Sequence, residues 1–282
     1  MVNINGDIVK NEDAQVSINN RGLNYGDAVF ETIRVNKTRI LFFEDHYFRL
    51  MASMRILRME IPMAFTLEFL QAEIIKTIKA NNLESSAARV KLLVSRKEGG
   101  LYLPKTNEID FLITAELLDA EFYEIDEKPY VVELFKDYYI APSLLSTLKT
   151  NNRLINIVGS VFAEENNFDN CLLLNTNKNV IEALNANIFL VQGNVIKTPP
   201  LSDGCLNGVI RKQLIGIIES TSELKLEEVP ISTFELQKAD EILLTNSIIG
   251  IQPITKYRKK TYDNKVAKTL LGKLNMKSRL TN

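Results

Sequence analysis

A single histidine, His46, occurs among 282 residues. With one imidazole, a His-ligated zinc centre and a serine or cysteine triad are both poor readings, and His46 itself reads as a structural side chain rather than a base. Cysteine is equally scarce. Cys171 and Cys205 stand far apart and fit no metal or redox spacing, so they read as small core residues of a protein kept in a reducing compartment. No metal is expected. Net charge is almost absent, at -1, which gives no electrostatic reason to expect nucleic acid or an anionic membrane as partner. No run reaches the roughly 18 apolar residues of a membrane span. The segment Met1 to Asp7 lacks the basic and apolar regions of a secretion signal, so a cytoplasmic protein is expected.

What is present is ordinary for a globular chain: 45% hydrophobic and 24% charged residues. The length exceeds what one core usually holds, so two domains are expected. Asn5-Gly6 between Val2-Ile4 and Ile8-Val9 predicts a hairpin, because a type I′ turn needs positive φ at both central residues. Strands are predicted over Ala28 to Val35, Val90 to Ser95 and Ile109 to Glu116. Helical stripes follow Asp45 (Leu50, Met51, Met54, Leu57) and Thr66 (Leu70, Ile74, Ile75, Ile78). The acidic stretch Asp119 to Glu127, closing with Lys128-Pro129, reads as a linker. Beyond it come a strand from Tyr130 to Tyr139, a helix from Asn152 to Glu165, several short strands, a helix from Val209 to Glu219 and a basic amphipathic tail from Asn264. Strands and helices mix without regular βαβ alternation, so the fold class is α+β, with mixed sheets and flanking helices. The domains are expected at 1–118 and 130–282, joined by 119–129.

Five features could carry chemistry. Lys149 follows an uncharged run, Ala141 to Leu148, and stands where a helical pattern starts. Desolvation pulls a lysine down from about 10.4, and only the free amine attacks a carbonyl. Glu182 is the one charge between Asn179 and Gln192; it is either paired or edge-exposed, or it holds a ring nitrogen protonated. Gly208-Val209-Ile210-Arg211 opens a helix whose first N–H groups suit a phosphate, with Asn207 a possible plain cap. Arg49, beside a buried stripe, needs an anion, which a phosphate or an internal carboxylate would supply. Thr245-Asn246-Ser247 is either a strand exit or a second set of phosphate donors.

In order along the chain, these segments resemble the class IV aminotransferases, the fold type IV pyridoxal-phosphate enzymes. The matching stretches are Arg21 to Arg34, His46 to Leu50, Lys149 to Leu154, Val180 to Phe189, Thr198 to Arg211 and Ala239 to Ser247. The resemblance implies a two-domain fold, with the lysine in the larger C-terminal domain, and a homodimer. It implies pyridoxal 5′-phosphate as cofactor, Lys149 as its Schiff-base lysine and Glu182 at the pyridine nitrogen. Arg49, Val209, Ile210, Asn246 and Ser247 would hold the phosphate, and Tyr25, Phe30, Arg89 and Arg96 are candidates for the substrate. Within the family, Leu154 and Thr32 depart from branched-chain transaminases. The loop Arg96 to Tyr102 lacks the histidine of D-amino-acid transaminases. Lys149 to Leu154 and Phe30 to Arg34 look like aminodeoxychorismate lyases, although Leu101 replaces their arginine. Transfer of an amino group between an amino acid and a 2-oxo acid is the leading expectation. Lyase chemistry releasing pyruvate and 4-aminobenzoate comes second, and a cofactor-binding protein without turnover third.

Overall fold

The computed structural model describes Met1–Leu280; Thr281 and Asn282, the end of the domain expected over 130–282, lie outside the described residues. The described chain divides into two units. One holds Met1–Phe122 with Lys149–Asn152, the other Tyr123–Leu148 with Arg153–Leu280. Within the expected linker, Arg34 Nη2 donates to the carbonyl of Phe122 (3.2 Å), while Tyr123 is buried and exchanges hydrogen bonds with Asn275. The stretch is therefore packed along part of its length, and within it the division falls between Phe122 and Tyr123.

The first unit runs β1 (Val2–Ile4), β2 (Asp7–Val9), α1 (Arg21–Tyr25), β3 (Ala28–Asn36), β4 (Arg39–Ile40), α2 (Phe43–Ile56), α3 (Leu67–Ala80), β5 (Ala87–Arg96) and β6 (Ile109–Leu118). Its strands form one antiparallel sheet in the order β2-β1-β6-β5-β3-β4. Asn5 (φ 52°) and Gly6 (φ 96°) make the predicted turn, closing on the pair Ile4–Asp7. Thr66 caps α3, accepting from the N–H of Phe69. Asp45 lies inside the first turn of α2 rather than ahead of it, because the chain turns into the helix through Phe42 at φ 53°. Leu50 and Met54 of α2 and Leu70, Ile74 and Ile78 of α3 pack on one sheet face. That face takes alternate residues of β3: Val29, Ile33 and Val35. Residue 31 falls on the same face, and it is a glutamate.

The second unit contains β7 (Val131–Ile140), α4 (Leu154–Glu165), β8 (Asn170–Asn175), β9 (Asn179–Ala183), β10 (Asn187–Gln192), β11 (Val195–Thr198), α5 (Val209–Glu219), β12 (Lys225–Glu228), β13 (Ile231–Ser232), α6 (Thr233–Lys238), β14 (Glu241–Asn246), β15 (Gly250–Pro253), β16 (Lys256–Tyr257), β17 (Lys260–Thr261) and α7 (Lys265–Leu280). Its strands form an eleven-stranded mixed sheet, in which β7 pairs parallel with β8 and with β16, and β11 parallel with β12. Every residue of β8 is buried, as a strand covered on both faces requires. β10 lies along β14 and meets β9 at the single pair Asn187–Glu182. The architecture is α+β, with mixed sheets and flanking helices.

Candidate active site

Lys149 is not helical. α4 begins at Leu154, and Lys149 lies in an extended stretch stitched to β3. The N–H of Phe30 donates to the carbonyl of Lys149 (2.8 Å), and the N–H of Asn151 donates to Ala28 (3.0 Å). Thr150 forms an antiparallel bridge with Val29 between them. Asn152 Nδ2 adds a bond to the carbonyl of Gly26 (3.1 Å). A lysine held this way has a fixed backbone. Its Nζ lies 4.5 Å from the centroid of the half-buried Phe30 ring. Of the run 141–148, Leu148 is buried while Leu144 and Leu145 are exposed.

Next to Phe30, Glu31 turns into the core and meets α2. His46 and Arg49 are three residues apart, so they share one helix face. Glu31 takes both: Oε2 lies 2.6 Å from His46 Nδ1, and Oε1 and Oε2 accept Nε and Nη2 of Arg49. The Glu31 and His46 side chains are 2% and 1% exposed, that of Arg49 9%. Burial pushes the Glu31 carboxyl up, but the Arg49 charge and the hydrogen bonds from Arg49 and His46 outweigh it and bring it down to about 2. Burial holds His46 below its ordinary value against the pull of Glu31, and the charges of Arg49 and Lys149 add to that depression. Both alternatives for Arg49 were a phosphate or an internal carboxylate; the carboxylate is present and is Glu31. The signal for Glu31 lay in the sequence, as the one charge among the alternate residues 29, 31, 33 and 35 of β3.

The other predicted residues of this unit are engaged differently. Arg96 is buried and donates to Asp27, Leu57, Arg58 and Asn107. Arg89 pairs with Glu116 at the surface (3.0 Å). Tyr25 sits beneath the Arg21 guanidinium, whose other donors hold the carbonyls of Gly99, Leu101 and Tyr102. Arg21, Arg96 and their shared partner Asp27 form a brace for the 99–102 loop that sequence reading missed.

In the second unit, Glu182 is 4% exposed and accepts the N–H of Leu206 (2.8 Å). Asn187, its pair across the strands, donates Nδ2 to the carbonyl of Leu206 (2.8 Å). These bonds place the segment Leu206 to Gly208 ahead of α5. The cap of α5 is Gly208, not Asn207, and it supplies no side-chain acceptor. A Cβ at Gly208 would come within 1.9 Å of Asn187 Oδ1, so a side chain there would displace Asn187 from its bond to Leu206. Val209 and Ile210 are buried in the first turn, where backbone N–H groups have no intrahelical acceptor. Directly across from Asn187 on β14, Thr245 has a fully buried hydroxyl without a partner among the described residues. Asn246 is committed to its turn, with Oδ1 accepting from Ile248 and Ile249 and Nδ2 donating to Asn185. Ser247 follows, its carbonyl accepting from Tyr123. A helix start capped by glycine, with an orphaned hydroxyl across the sheet from its supporting Asn187, suits an anion such as a phosphate. The buried carboxylate of Glu182 suits a protonated ring nitrogen. The residues therefore fit a pyridoxal phosphate.

The family described as amino-transferase class IV has a model that matches residues 28–257. A D-alanine aminotransferase of Listeria monocytogenes is 26% identical over 259 residues, spanning 89% of this chain and 86% of that protein. An aminodeoxychorismate lyase of Vibrio harveyi is 24% identical over 242 residues, spanning 85% and 86%. Among solved structures, a branched-chain aminotransferase from Thermoproteus uzoniensis, crystallised with norvaline, superposes with a TM-score of 0.87 at 25% identity, over 96% of this chain and 92% of that one. Among the described residues, no helix is long and apolar enough to cross a membrane.

The depressed Glu31 carboxyl has a consequence for stability. It binds its proton near 4.5 when unfolded and near about 2 when folded, so its contribution is complete above pH 4.5 and is lost as pH falls toward 2. Denaturant titrations from pH 6 to 2 (roughly the span over which carboxylates titrate) are expected to show a shallower acid loss for Glu31→Gln than for the wild type. Identical slopes would contradict the assignment.

Proposed function

The chain belongs to the class IV aminotransferase family, and from that premise we propose that it uses pyridoxal 5′-phosphate to move an amino group between an amino acid and a 2-oxo acid. The observation that carries this reading is the pinned Lys149, with its amine over Phe30 beside the buried Glu31, His46 and Arg49. When bound, the cofactor supplies an electron sink that stabilises charge developing at the substrate's α-carbon. Lys149 Nζ carries the covalent link to the cofactor and, once displaced, takes the proton from the substrate's α-carbon. Glu182 holds a proton on the ring nitrogen. Arg49, the N–H groups of Val209 and Ile210, and Ser247 hold the phosphate. Thr245 joins this set, and Asn246 shapes the turn that presents Ser247.

For the substrate, Phe30 is kept as a wall beside Lys149, while Tyr25 stays a candidate through its exposed edge. Arg96 and Arg89 are reassigned to the brace and to a surface ion pair, since their guanidinium donors already have carboxylate and carbonyl partners. The pattern shared with lyases, Asn152-Arg153-Leu154, has a structural explanation: Asn152 ties to Gly26, and Arg153 Nη2 donates to the carbonyl of Leu148 (2.8 Å). It therefore carries no preference for lyase chemistry, and transamination remains the reading.

A homodimer in the cytoplasm completes the proposal. α4 turns Leu154, Ile157 and Val161 outward at spacings of three and four, exposed by 72%, 58% and 49%, and this apolar stripe suits a second copy.

Two measurements test these statements. Enzyme loaded with cofactor and given an amino donor alone should lose its visible band and release one equivalent of oxo acid per chain, and Lys149→Ala should do neither. Repeated release of pyruvate and 4-aminobenzoate from aminodeoxychorismate would replace transamination with the lyase reading. By light scattering, wild type should have the mass of two chains and Ile157→Asp that of one; a wild-type monomer would refute the dimer.

A further inference from the structure

Glu31 has no part in the chemistry proposed above, yet it is the most constrained carboxylate of the first unit. It lies on the core face of β3 between Val29 and Ile33, where an unpaired charge would be costly. Its two oxygens divide between two partners on one face of α2: Arg49 through Nε and Nη2, and His46 through Nδ1. The geometry points to Glu31 as a positioning residue that sets the plane of the Arg49 guanidinium and the tautomer of His46 together, so that phosphate affinity depends on a carboxylate that never touches phosphate.

The guanidinium is flat, and two parallel bonds along its Nε–Nη2 edge fix that plane. Its opposite edge, Nη1 with the outer Nη2 hydrogen, is thereby turned away from Glu31, and it is the edge through which Arg49 would meet the phosphate proposed above. The same carboxylate settles His46. An ionised carboxylate only accepts, so the neutral imidazole must carry its proton on Nδ1 and its lone pair on Nε2. The three groups together carry no net charge, which suits their burial. Phe30, the neighbour of Glu31, holds the carbonyl of Lys149, so this unit also borders the lysine's anchor.

The inference rests on the phosphate role proposed for Arg49, and its test separates the two. Wild type and Glu31→Gln are titrated with pyridoxal phosphate and with pyridoxal, which lacks the phosphate. Glu31→Gln should bind pyridoxal phosphate roughly tenfold or more weakly, the loss expected for one misdirected charge-assisted hydrogen bond, with pyridoxal binding unchanged. Glu31→Asp, which keeps the charge on a shorter stem, should recover part of the loss. The single histidine allows a second readout without assignment: ¹⁵N spectra of the cofactor-free protein should show one Nδ1–H tautomer in wild type and a mixture in Glu31→Gln. Equal affinity of both proteins for pyridoxal phosphate, or an unchanged tautomer, overturns the positioning role while leaving the cofactor reading intact. Equal losses for both ligands would mark Glu31 as merely structural and also overturn it. Failure of the wild type to bind pyridoxal phosphate at all would instead overturn the cofactor reading. Should Glu31→Gln not fold, Glu31→Asp decides the same question: an unchanged tautomer with weaker pyridoxal phosphate binding and unchanged pyridoxal binding is expected, and a tautomer mixture, or equal losses for both ligands, contradicts the role.

Discussion

The carbonyl of Lys149, held by the N–H of Phe30, is the bond on which the arrangement depends. With the bridge from Thr150 to Val29 and the bond from Asn151 to Ala28, it makes a short piece of chain, far away in sequence, behave as an added edge of β3. A flexible side chain becomes a useful nucleophile when its root cannot wander, because the search for the reacting geometry is then confined to a few torsions. The sequence meets that need by ending the uncharged run at Leu148 and starting α4 only at Leu154, which leaves room for an extended anchor.

A second constraint follows from the alternation of β3. The same strand that presents Phe30 beneath Lys149 must turn residue 31 into the core, and a glutamate there obliges α2 to answer with a cation and a hydrogen-bond donor. Arg49 and His46 answer at helical spacing. The cost of burying one charge is thus offset by one opposite charge and one neutral donor. In the second unit the same economy recurs on a smaller scale. Glu182 and Asn187, paired across a single point of the sheet, take the N–H and the carbonyl of Leu206, and so deliver Gly208 to the start of α5.

Much of this was legible in the chain. The hairpin at Asn5-Gly6, the helices after Thr66 and at Val209, and the α+β class follow from turn chemistry and periodicity, which are local. Lys149 and Glu182 stood out because charge is rare around them. What was not legible depends on pairing at long range. Nothing local places Lys149 beside Phe30, and the helical pattern starting near Asn152 gave no sign of the strand bridge that anchors the lysine ahead of it. Arg96 read as a substrate contact because a loop arginine has no visible partner in sequence; its partners, Asp27 and the carbonyls closing α2, are brought to it by the sheet. Asn207 stood as an alternative cap because asparagine favours that position, whereas the chain enters α5 through Gly208, beside which the Asn187 side chain lies.

The central claim is that one particular amine holds the cofactor. Reducing the loaded protein with borohydride makes that link permanent, and peptide mass spectrometry then reads which lysine carries it. The account predicts the phosphopyridoxyl mass on the peptide containing Lys149 and nowhere else. The same mass on another lysine, such as Lys91, whose amine lies 5.1 Å from the Phe30 ring centroid, or on none, would contradict it.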